Sequence, residues 1–360
     1  MTMLGSFARR TILGIALAAV PFAAGAQQVI KLTAVDGYPP RALWVKHFIE
    51  YLIPETNKRL AAAGNKYKID WHQAWSGQIV KPRGVLDGIK NRLGDIAVVT
   101  TVFYSSKLPL NNIPFYTPFS SHNPVLISRV MDQLMDKFPE FQKQFDDQNQ
   151  VALTNYSSID NYGIFTKTPV NKVSDLKGMK ILAAGPNALY IKPLGAVNVL
   201  SNLTQQYNDL KSGVADGTII WPEATITFKL YEVAPYYLKT DFGTGVNKSI
   251  TVNKDTWKSL PPEVQKVLKE TAVDYRDRVA QAAIDLSDSS TKKFVANGGK
   301  IRALSDEEKK HWADSLPNIA QNLAADVEKQ RGYPARKMIS AYMDALRAGG
   351  AKPVRDWDKK

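Results

Sequence analysis

The stretch Val151-Ala-Leu-Thr-Asn-Tyr-Ser-Ser158 opens the part of the chain that decides the fold, and that part continues to Glu223. A second strand-like run, Asn161-Tyr-Gly-Ile-Phe-Thr166, follows, and the part ends in Trp221-Pro-Glu223. No nucleophile–base pair, no metal-ligand spacing and no phosphate-binding loop occurs between these ends. The pattern predicts a strand–turn–strand–helix domain that closes over a small molecule.

Three motifs follow one another inside this part of the chain. They are Asp175-Leu-Lys-Gly-Met-Lys-Ile181, Leu194-Gly-Ala196, and the segment from Tyr207 to Asp216-Gly217. In order and spacing they resemble the solute receptors of tripartite ATP-independent periplasmic (TRAP) transporters, which usually read DLKGLKIR, then LGA, then a Tyr before AL-x-x-G-x-x-DG. The resemblance implies an α/β fold with two domains, a hinge and a long helix that spans both. It also implies an extracytoplasmic solute receptor that delivers its ligand to membrane permease subunits.

One position departs from the family pattern. Many family members carry an Arg directly after the Lys-Ile of the first motif, where it binds the ligand carboxylate through two parallel charge-assisted hydrogen bonds. Here that position is Leu182. A second Arg of the family aligns near Asn161 or Tyr162. An insertion or deletion at this point leaves both positions as alternatives. The usual anion-binding group of the family is therefore missing from the motif.

The first 26 residues are typical of an export signal. Arg9 and Arg10 form a positive n-region, and the apolar run from Ile12 to Ala24 is too short to span a bilayer. The small residues Ala24-Gly-Ala26 form a cleavage site. We expect a signal peptide cleaved near Ala26 and a periplasmic mature chain that starts at Gln27. An uncleaved anchor is the alternative, and both the Sec and the Tat export routes stay open.

Composition excludes several classes of function. The formal net charge of +13 is compatible with nucleic-acid binding. The lysines, however, are scattered among helix faces rich in Glu and Asp, and basic and aromatic residues do not interleave. We therefore expect no nucleic-acid partner. The chain contains no Cys, which excludes thiol catalysis and Cys-based zinc sites. A chain of this length buries a sufficient core without disulfides.

An enzyme would need a recognisable reactive group, and none stands out. The chain has four His residues and contains no H-E-x-x-H, G-x-S-x-G or G-x-x-x-x-G-K-[ST] motif. Asp36, Asp160, Asp216 and Glu223 could be carboxylates in a cleft, although Asp216-Gly217 is better interpreted as a turn. We expect a receptor rather than an enzyme. A periplasmic enzyme and a structural or adhesion module are the alternatives.

The length of the chain and the absence of a linker predict two domains that share elements across a hinge. After the signal peptide of residues 1–26, we assign residues 27–154 and 245–286 to domain one. Residues 155–244 and 287–360 are assigned to domain two. A helix is predicted from the pair Pro261-Pro262 to about Ala296, and such a helix is long enough to lie across both domains.

Ligands of open α/β sheets bind beyond the carboxyl ends of the strands, which defines the candidate site. The predicted strand ends at Val35-Asp36, Thr100 to Tyr104 and Asn155 to Ser158 are therefore pocket candidates. The residues that we expect at the site are Asp36, Tyr38, Trp44, Arg83, Thr100, Phe103, Tyr104, Asn155, Tyr156, Ser158, Asn161, Tyr162, Leu182, Trp221 and Glu223. Arg83 is a minor candidate, because the matching Arg of the family is mainly part of the scaffold.

The family default ligand is a small organic acid. The aromatic residues of the candidate set indicate a wide, apolar pocket with polar tips, which suits a bulky or aromatic carboxylate better than succinate or malate. Neutral side chains such as Thr100 and Asn161 would then bind the carboxylate. A neutral or amine ligand, with Glu223 or Asp36 as its counter-charge, is the alternative. We expect a monomer with no cofactor and no required metal ion.

Overall fold

The computed structural model describes residue 2 and residues 27–154, 159–245 and 248–359. The described residues form eleven strands and thirteen α-helices, with short 3-10 and π-helical segments between some of them. The strands are β1 (Gln28–Val35), β2 (Tyr67–Ala74), β3 (Ile96–Thr100), β4 (Gln150–Ala152), β5 (Gly163–Thr166), β6 (Lys180–Ala183), β7 (Val197–Leu200), β8 (Gly217–Ile220), β9 (Tyr236–Lys239), β10 (Lys248–Asn253) and β11 (Lys300–Ala303). The helices are α1 (Leu43–His47), α2 (Ile53–Ala62), α3 (Val85–Lys90), α4 (Pro124–Lys137), α5 (Glu140–Asp146), α6 (Ala188–Ile191), α7 (Gln206–Lys211), α8 (Pro222–Thr227), α9 (Lys254–Ser259), α10 (Pro262–Ala296), α11 (Asp306–Ser315), α12 (Ile319–Arg331) and α13 (Ala335–Ala348).

The strands form two sheets, so the mixed α/β architecture agrees with the predicted fold class. The first sheet has the order β2-β1-β3-β10-β4 and the second the order β11-β9-β5-β8-β6-β7. In the first sheet, β1 pairs in parallel with β2 and β3, whereas β10 is antiparallel to β3 and β4. We propose that the two domains are built around these sheets with the boundaries predicted above, although α13, which those boundaries assign to domain two, packs against α4 of domain one. None of the described helices has both the length and the apolar character that a bilayer span requires.

Strand β10 returns to the first sheet after the chain has built β5 to β9 of the second. It lies between β3 and β4, and all six of its residues are buried. A strand covered on both faces is normally an apolar run, yet this one begins with a lysine. The antiparallel register places that residue, Lys248, directly opposite Thr100 of β3.

The long helix α10 confirms the prediction for residues 262–296. It begins at Pro262, directly after Pro261, where a missing N–H costs no intrahelical hydrogen bond. Its 35 residues pack against α1, α2 and α4 beside the first sheet and against α8 and β11 at the second. The Tyr275 hydroxyl donates to the backbone carbonyl of Trp44 at 2.7 Å, which fixes α1 against α10.

The sequence Ser305-Asp-Glu-Glu308 predicts a capping box at the start of the C-terminal helices, and the structure contains it. Ser305 Oγ accepts from the Glu308 N–H at 3.2 Å, and the Glu308 carboxylate accepts from the Ser305 N–H at 2.9 Å. Helix α13 then packs against α4 and α12. Near the end of the chain, Trp357 is fully buried and its Nε1 donates to the Pro118 carbonyl at 2.7 Å. The last described residues are therefore anchored to the body of the protein.

The turn predicted at Asp216-Gly217 is wrong for Gly217, which is the first residue of β8. The Asp216 carboxylate accepts from the Lys180 N–H at 2.8 Å. A Cβ atom on Gly217 would lie 2.7 Å from the Phe165 carbonyl oxygen and 2.8 Å from Thr166 Cγ2. The glycine is needed because β5 approaches β8 closely, and not because of turn geometry.

We expect the substitution Gly217→Ala to lower the free energy of unfolding by about 1–3 kcal/mol, because the added methyl group forces β5 and β8 apart. Urea denaturation of the mature protein would measure the change. The matched control is Gly84→Ala, since Gly84 has a φ of −107° and its Cβ would meet no atom closer than 3.5 Å. The control should stay within about 0.5 kcal/mol of the wild type. Equal stabilities for all three proteins would contradict this account of β8.

Candidate ligand-binding site

A cavity lies where side chains of the first sheet meet side chains of the second. On the side of the first sheet it is lined by Tyr38, Trp44, Thr100, Val102, Phe103 and Lys248. On the side of the second sheet it is lined by Tyr162, Ala184, Ser201, Asn202, Leu203, Gln206, Ile219, Ile220 and Trp221. The cavity volume is about 30 Å³, which is room for about one or two water molecules. The two walls are therefore almost in contact in this structure.

The first wall is built by loops that follow two neighbouring parallel strands. Strands β1 and β3 pair in parallel, so their carboxyl ends meet at the same edge of the sheet. The loop after β1 carries Tyr38 and leads to Trp44 on α1. After β3, a 3-10 turn over Thr101–Tyr104 brings Phe103 to the cavity. These positions agree with the rule that selected the strand ends from the sequence.

The second wall is centred on two aromatic rings. Trp221 follows β8 directly, and its Nε1 donates to Glu223 Oε2 at 3.0 Å. Tyr162 packs edge-to-face against Trp221 with ring centroids 5.5 Å apart. Both rings are almost fully buried, and Glu223 lies behind them rather than in the cavity lining. The Glu223 carboxylate thus serves to orient the indole ring.

The cavity contains a buried cation that the sequence analysis missed. Only 1% of Lys248 is exposed, and its Nζ donates to Thr100 Oγ1 at 2.8 Å. The same Nζ lies 3.3 Å from the ring centroid of Trp44, in a cation–π contact. It forms no salt bridge with any carboxylate of the described residues. Burial lowers the pKa of Lys248 to about 7, although the charge of Asp36 opposes this shift.

Asp36 lies behind the aromatic wall. Its Oδ1 accepts from the Tyr38 N–H at 2.9 Å and its Oδ2 accepts from Trp44 Nε1 at 3.0 Å. Burial raises the pKa of Asp36 to about 6, and Lys248 and these hydrogen bonds counteract part of the rise. Asp36 therefore orients Trp44 and supplies a negative charge near the ammonium, but it does not line the cavity.

Arg83 lies at the edge of the site and joins its two sides. Its guanidinium packs over the Phe103 ring, 4.3 Å from the centroid. One Nη donates to the Ser201 carbonyl at 2.9 Å, and Ser201 belongs to the wall of the second sheet. Tyr104 lies close in sequence to Phe103, but its hydroxyl accepts from the Leu86 N–H at 3.1 Å. Tyr104 is thus directed away from the cavity.

The remaining predicted residues have other positions. Asn161 Nδ2 donates to Asp241 Oδ1 at 2.8 Å, and Asn161 Oδ1 accepts from the Gly243 N–H at 3.0 Å. Leu182 is fully buried in β6 and does not line the cavity. Asn155, Tyr156 and Ser158 lie outside the described residues. The predicted residues that line the cavity are Tyr38, Trp44, Thr100, Phe103, Tyr162 and Trp221.

Sequence reasoning missed four polar residues of the lining, namely Ser201, Asn202, Gln206 and Lys248. Ser201 and Asn202 directly follow β7, so the strand-end rule could have selected them. The signal for Lys248 was a single charged residue at the start of the apolar run Ser249-Ile-Thr-Val252. The described residues contain no group of three or more His, Asp or Glu side chains that could hold a metal ion.

Asp160, another carboxylate considered from the sequence, is buried outside the cavity lining. Burial raises its pKa to about 7. The Asn161 N–H and the Ser287 hydroxyl counteract the rise, and the charges of Glu223 and Asp288 add to it. The folded protein therefore holds this proton to a higher pH than the unfolded chain does, so Asp160 makes folding less favourable as the pH rises from 4 to 7.

We expect Asp160→Asn to remove this penalty and to raise the free energy of unfolding at pH 8 by about 2–4 kcal/mol. At pH 4 the wild type and the variant should have similar stability, because Asp160 is then protonated in the fold. Urea denaturation at several pH values would measure the difference. Asp70, an exposed residue of β2, provides the control Asp70→Asn. A difference between Asp160→Asn and wild type that does not change with pH would contradict the assignment.

Comparisons with known proteins identify the family. The sequence matches the family described as bacterial extracellular solute-binding protein, family 7, over residues 57–326. The C4-dicarboxylate-binding periplasmic protein DctP of Rhodobacter capsulatus is 26% identical over 167 residues, which are 44% of this chain and 48% of that protein. This match therefore spans only about half the length of the relative. The monocarboxylate 2-oxoacid-binding periplasmic protein of a Nostoc species is 24% identical over 323 residues, which are 88% of this chain and 84% of that protein.

A solved structure shares the fold. The TRAP solute binding protein from Rhodoferax ferrireducens, in complex with copurified benzoate, superposes with a TM-score of 0.79 at 17% sequence identity. The superposition covers 89% of this chain and 98% of that chain. At this level of identity the likeness shows the two-domain fold. Because the family match spans most of the chain, this protein belongs to the bacterial extracellular solute-binding proteins of family 7, which are the solute receptors of TRAP transporters.

Proposed function

We propose that the protein binds a bulky or aromatic organic acid in the cavity between the two sheets and delivers it to the membrane permease of a TRAP transporter. The observation that carries the proposal is a cavity with aromatic walls on both sides and one buried ammonium group. We further propose that the protein acts as a monomer in the periplasm after cleavage near Ala26. The relatives are binding proteins and not enzymes, and the proposal includes no catalytic step.

The aromatic walls favour a ligand with a flat apolar part. Tyr38, Trp44 and Phe103 approach from the first sheet, and Tyr162 and Trp221 approach from the second. Rings on opposite walls can contact both faces or edges of a ligand ring. The Rhodoferax protein that shares this fold was solved with benzoate, which is an aromatic acid. A linear dicarboxylate such as succinate would leave much of this aromatic surface without an apolar partner.

The charge in the cavity favours an acid over an amine. Lys248 places a buried ammonium in the lining, and a ligand amine would meet this like charge at short range. Both carboxylates that could serve an amine are already engaged. Asp36 accepts from Tyr38 and Trp44, and Glu223 accepts from Trp221 and Thr227. These contacts count against the alternative of a neutral or amine ligand.

Entry of such a ligand requires the walls to separate. A volume of about 30 Å³ does not hold a benzene ring. Separation of the two sides would break the bond from Arg83 to the Ser201 carbonyl and the bond from the Tyr190 hydroxyl to the Phe115 carbonyl, which is 2.5 Å long. We propose an open form that admits the ligand and a closed form in which both walls contact it, so that binding shifts the equilibrium between them.

We expect benzoate and mandelate to raise the melting temperature of the mature protein, and succinate, malate and benzylamine to have little effect. At 100 times its dissociation constant a ligand adds about 2.7 kcal/mol to the free energy of unfolding, which a thermal-shift assay detects. Large shifts with succinate and malate, together with none for the aromatic acids, would contradict the proposed ligand class. A shift with benzylamine alone would support the amine alternative instead.

We also expect Trp221→Ala to weaken binding of benzoate by roughly 10- to 100-fold, because it removes most of one aromatic wall. Tyr162→Phe keeps the ring and should have a smaller effect. Trp257→Ala is the matched control, since Trp257 is a partly buried residue of α9 that does not line the cavity. Isothermal titration calorimetry would measure the affinities. Equal benzoate affinity for Trp221→Ala and the wild type would show that the pocket wall is placed wrongly.

A further inference from the structure

We propose that Lys248 and Thr100 together bind the carboxylate of the ligand and so replace the arginine whose position Leu182 occupies. This inference rests on the proposed function, because it assigns the carboxylate of that ligand to two residues of the same cavity. The family arginine would stand in β6 of the second sheet, at the position of Leu182. Lys248 and Thr100 belong instead to strands β10 and β3 of the first sheet.

Hydrogen-bond geometry leaves two donors free at this point. The Lys248 ammonium has three N–H groups, of which one is donated to Thr100 Oγ1 and one faces the Trp44 ring. Nζ also lies 5.1 Å from the ring centroid of Tyr38, but the third N–H has no oxygen acceptor among the described residues and can be donated to a ligand oxygen. Thr100 Oγ1 accepts from Lys248, so the hydrogen of its own hydroxyl group can be donated to a second oxygen. A carboxylate, with two oxygens on one carbon, matches these adjacent donors.

Among the described residues, the buried ammonium also lacks a close counter-charge. Asp36, the carboxylate that acts on it electrostatically, is held by the Tyr38 N–H and the Trp44 indole and forms no salt bridge with it. Burying a charge without a paired ion is unfavourable. In the closed form Lys248 is withdrawn from water. Closure over a ligand carboxylate therefore brings the two opposite charges together in a low-dielectric site, where their attraction is strong.

Packing fixes the ammonium in this place. Asp36 holds the Trp44 indole, and Tyr38 packs edge-to-face against it with centroids 4.8 Å apart. On the other side of α1, the Tyr275 hydroxyl donates to the Trp44 carbonyl. The indole under the ammonium is therefore held by contacts to two residues, and the backbone of Trp44 is held by a third. Lys248 belongs to a strand that lies between two other strands, so its side chain has less conformational freedom than a lysine on a surface loop. Little of its conformational entropy is therefore lost on ligand binding.

The site formed by Lys248 and Thr100 also predicts how the affinity for an anionic ligand changes with pH. The titratable and charged groups around it are Asp36 after β1, Tyr38, Tyr162, Tyr275 on α10, and Arg83 before α3. Burial raises the pKa of each of the three tyrosines, so they stay neutral below pH 9. Deprotonation of Lys248 above about pH 7 should weaken binding of an anion. Protonation of Asp36 below about pH 6 should strengthen it, so both groups act in the same direction.

The test compares benzoate with its neutral amide, benzamide, in three forms of the mature protein: wild type, Lys248→Met and Lys254→Met. The control Lys254 lies at the other end of β10 and forms a salt bridge of 2.8 Å with Asp146, so its substitution removes the same charge and a similar volume away from the cavity. Calorimetry at pH 6.5 should show that Lys248→Met binds benzoate about 100-fold more weakly than the wild type and binds benzamide equally well. Lys254→Met should behave like the wild type with both probes.

Three outcomes would count against the account in different ways. Equal benzoate affinity for Lys248→Met and the wild type would overturn the role of Lys248 and leave the proposed function in place. Absence of benzoate binding by a folded wild-type protein would overturn the proposed function itself and this inference with it. The pH profile of the wild type gives a test that needs no variant. Between pH 7.5 and 9 the benzoate affinity should fall by up to about tenfold per pH unit while the benzamide affinity stays constant, and a fall of equal size for benzamide would overturn the inference, because the pH effect would then not act on the carboxylate.

Discussion

The site depends on one buried contact, in which the Lys248 ammonium lies on the Trp44 ring and donates to Thr100. A charge in this position is costly unless other groups stabilise it. Here the stabilising groups are the rings of Trp44 and Tyr38, one hydroxyl group and the nearby charge of Asp36, and no carboxylate of the described residues lies at salt-bridge distance. The arrangement holds a cation that still lacks a partner of opposite charge. We propose that an organic anion supplies that partner.

The architecture places this cation between two walls. Strand β10 enters the middle of the first sheet after five strands of the second have been built, which brings Lys248 to the edge where the loops after β1 and β3 meet. Trp221 and Tyr162 approach from the other sheet. The long helix α10 packs against elements beside both sheets. Arg83 and Tyr190 donate hydrogen bonds across the interface between the two walls.

Local patterns in the sequence predicted much of the fold. The capping box at Ser305 and the long helix α10 depend on residues close together in the chain. Gly217 was interpreted as a turn residue because its real constraint, the approach of β5, comes from a distant segment. Thr100 and Phe103 were found because a general rule places ligands beyond the carboxyl ends of strands, whereas Trp44 and Trp221 were selected as aromatic residues.

The candidate site was predicted less completely, because its contacts also join distant segments of the chain. The contact between Lys248 and Thr100 joins residues 148 positions apart, and no periodic pattern in the sequence indicates such a pairing. Lysines at strand ends are also usually solvated, so this one did not stand out. Asn161, Tyr104 and Glu223 lie close in sequence to cavity residues, but hydrogen bonds to Asp241, Leu86 and Trp221 direct their polar atoms elsewhere. Side-chain direction is decided by these tertiary contacts and not by position along the chain.

A crystal structure of the mature protein with benzoate would test the central claim most directly. The account predicts a closed form in which one carboxylate oxygen lies within about 2.7–3.2 Å of Lys248 Nζ and the other lies at a similar distance from Thr100 Oγ1. The ring of the ligand should lie between Trp44 and Trp221. A carboxylate bound instead to Arg83, or one facing Ser201 and Asn202 with no contact to Lys248, would contradict it.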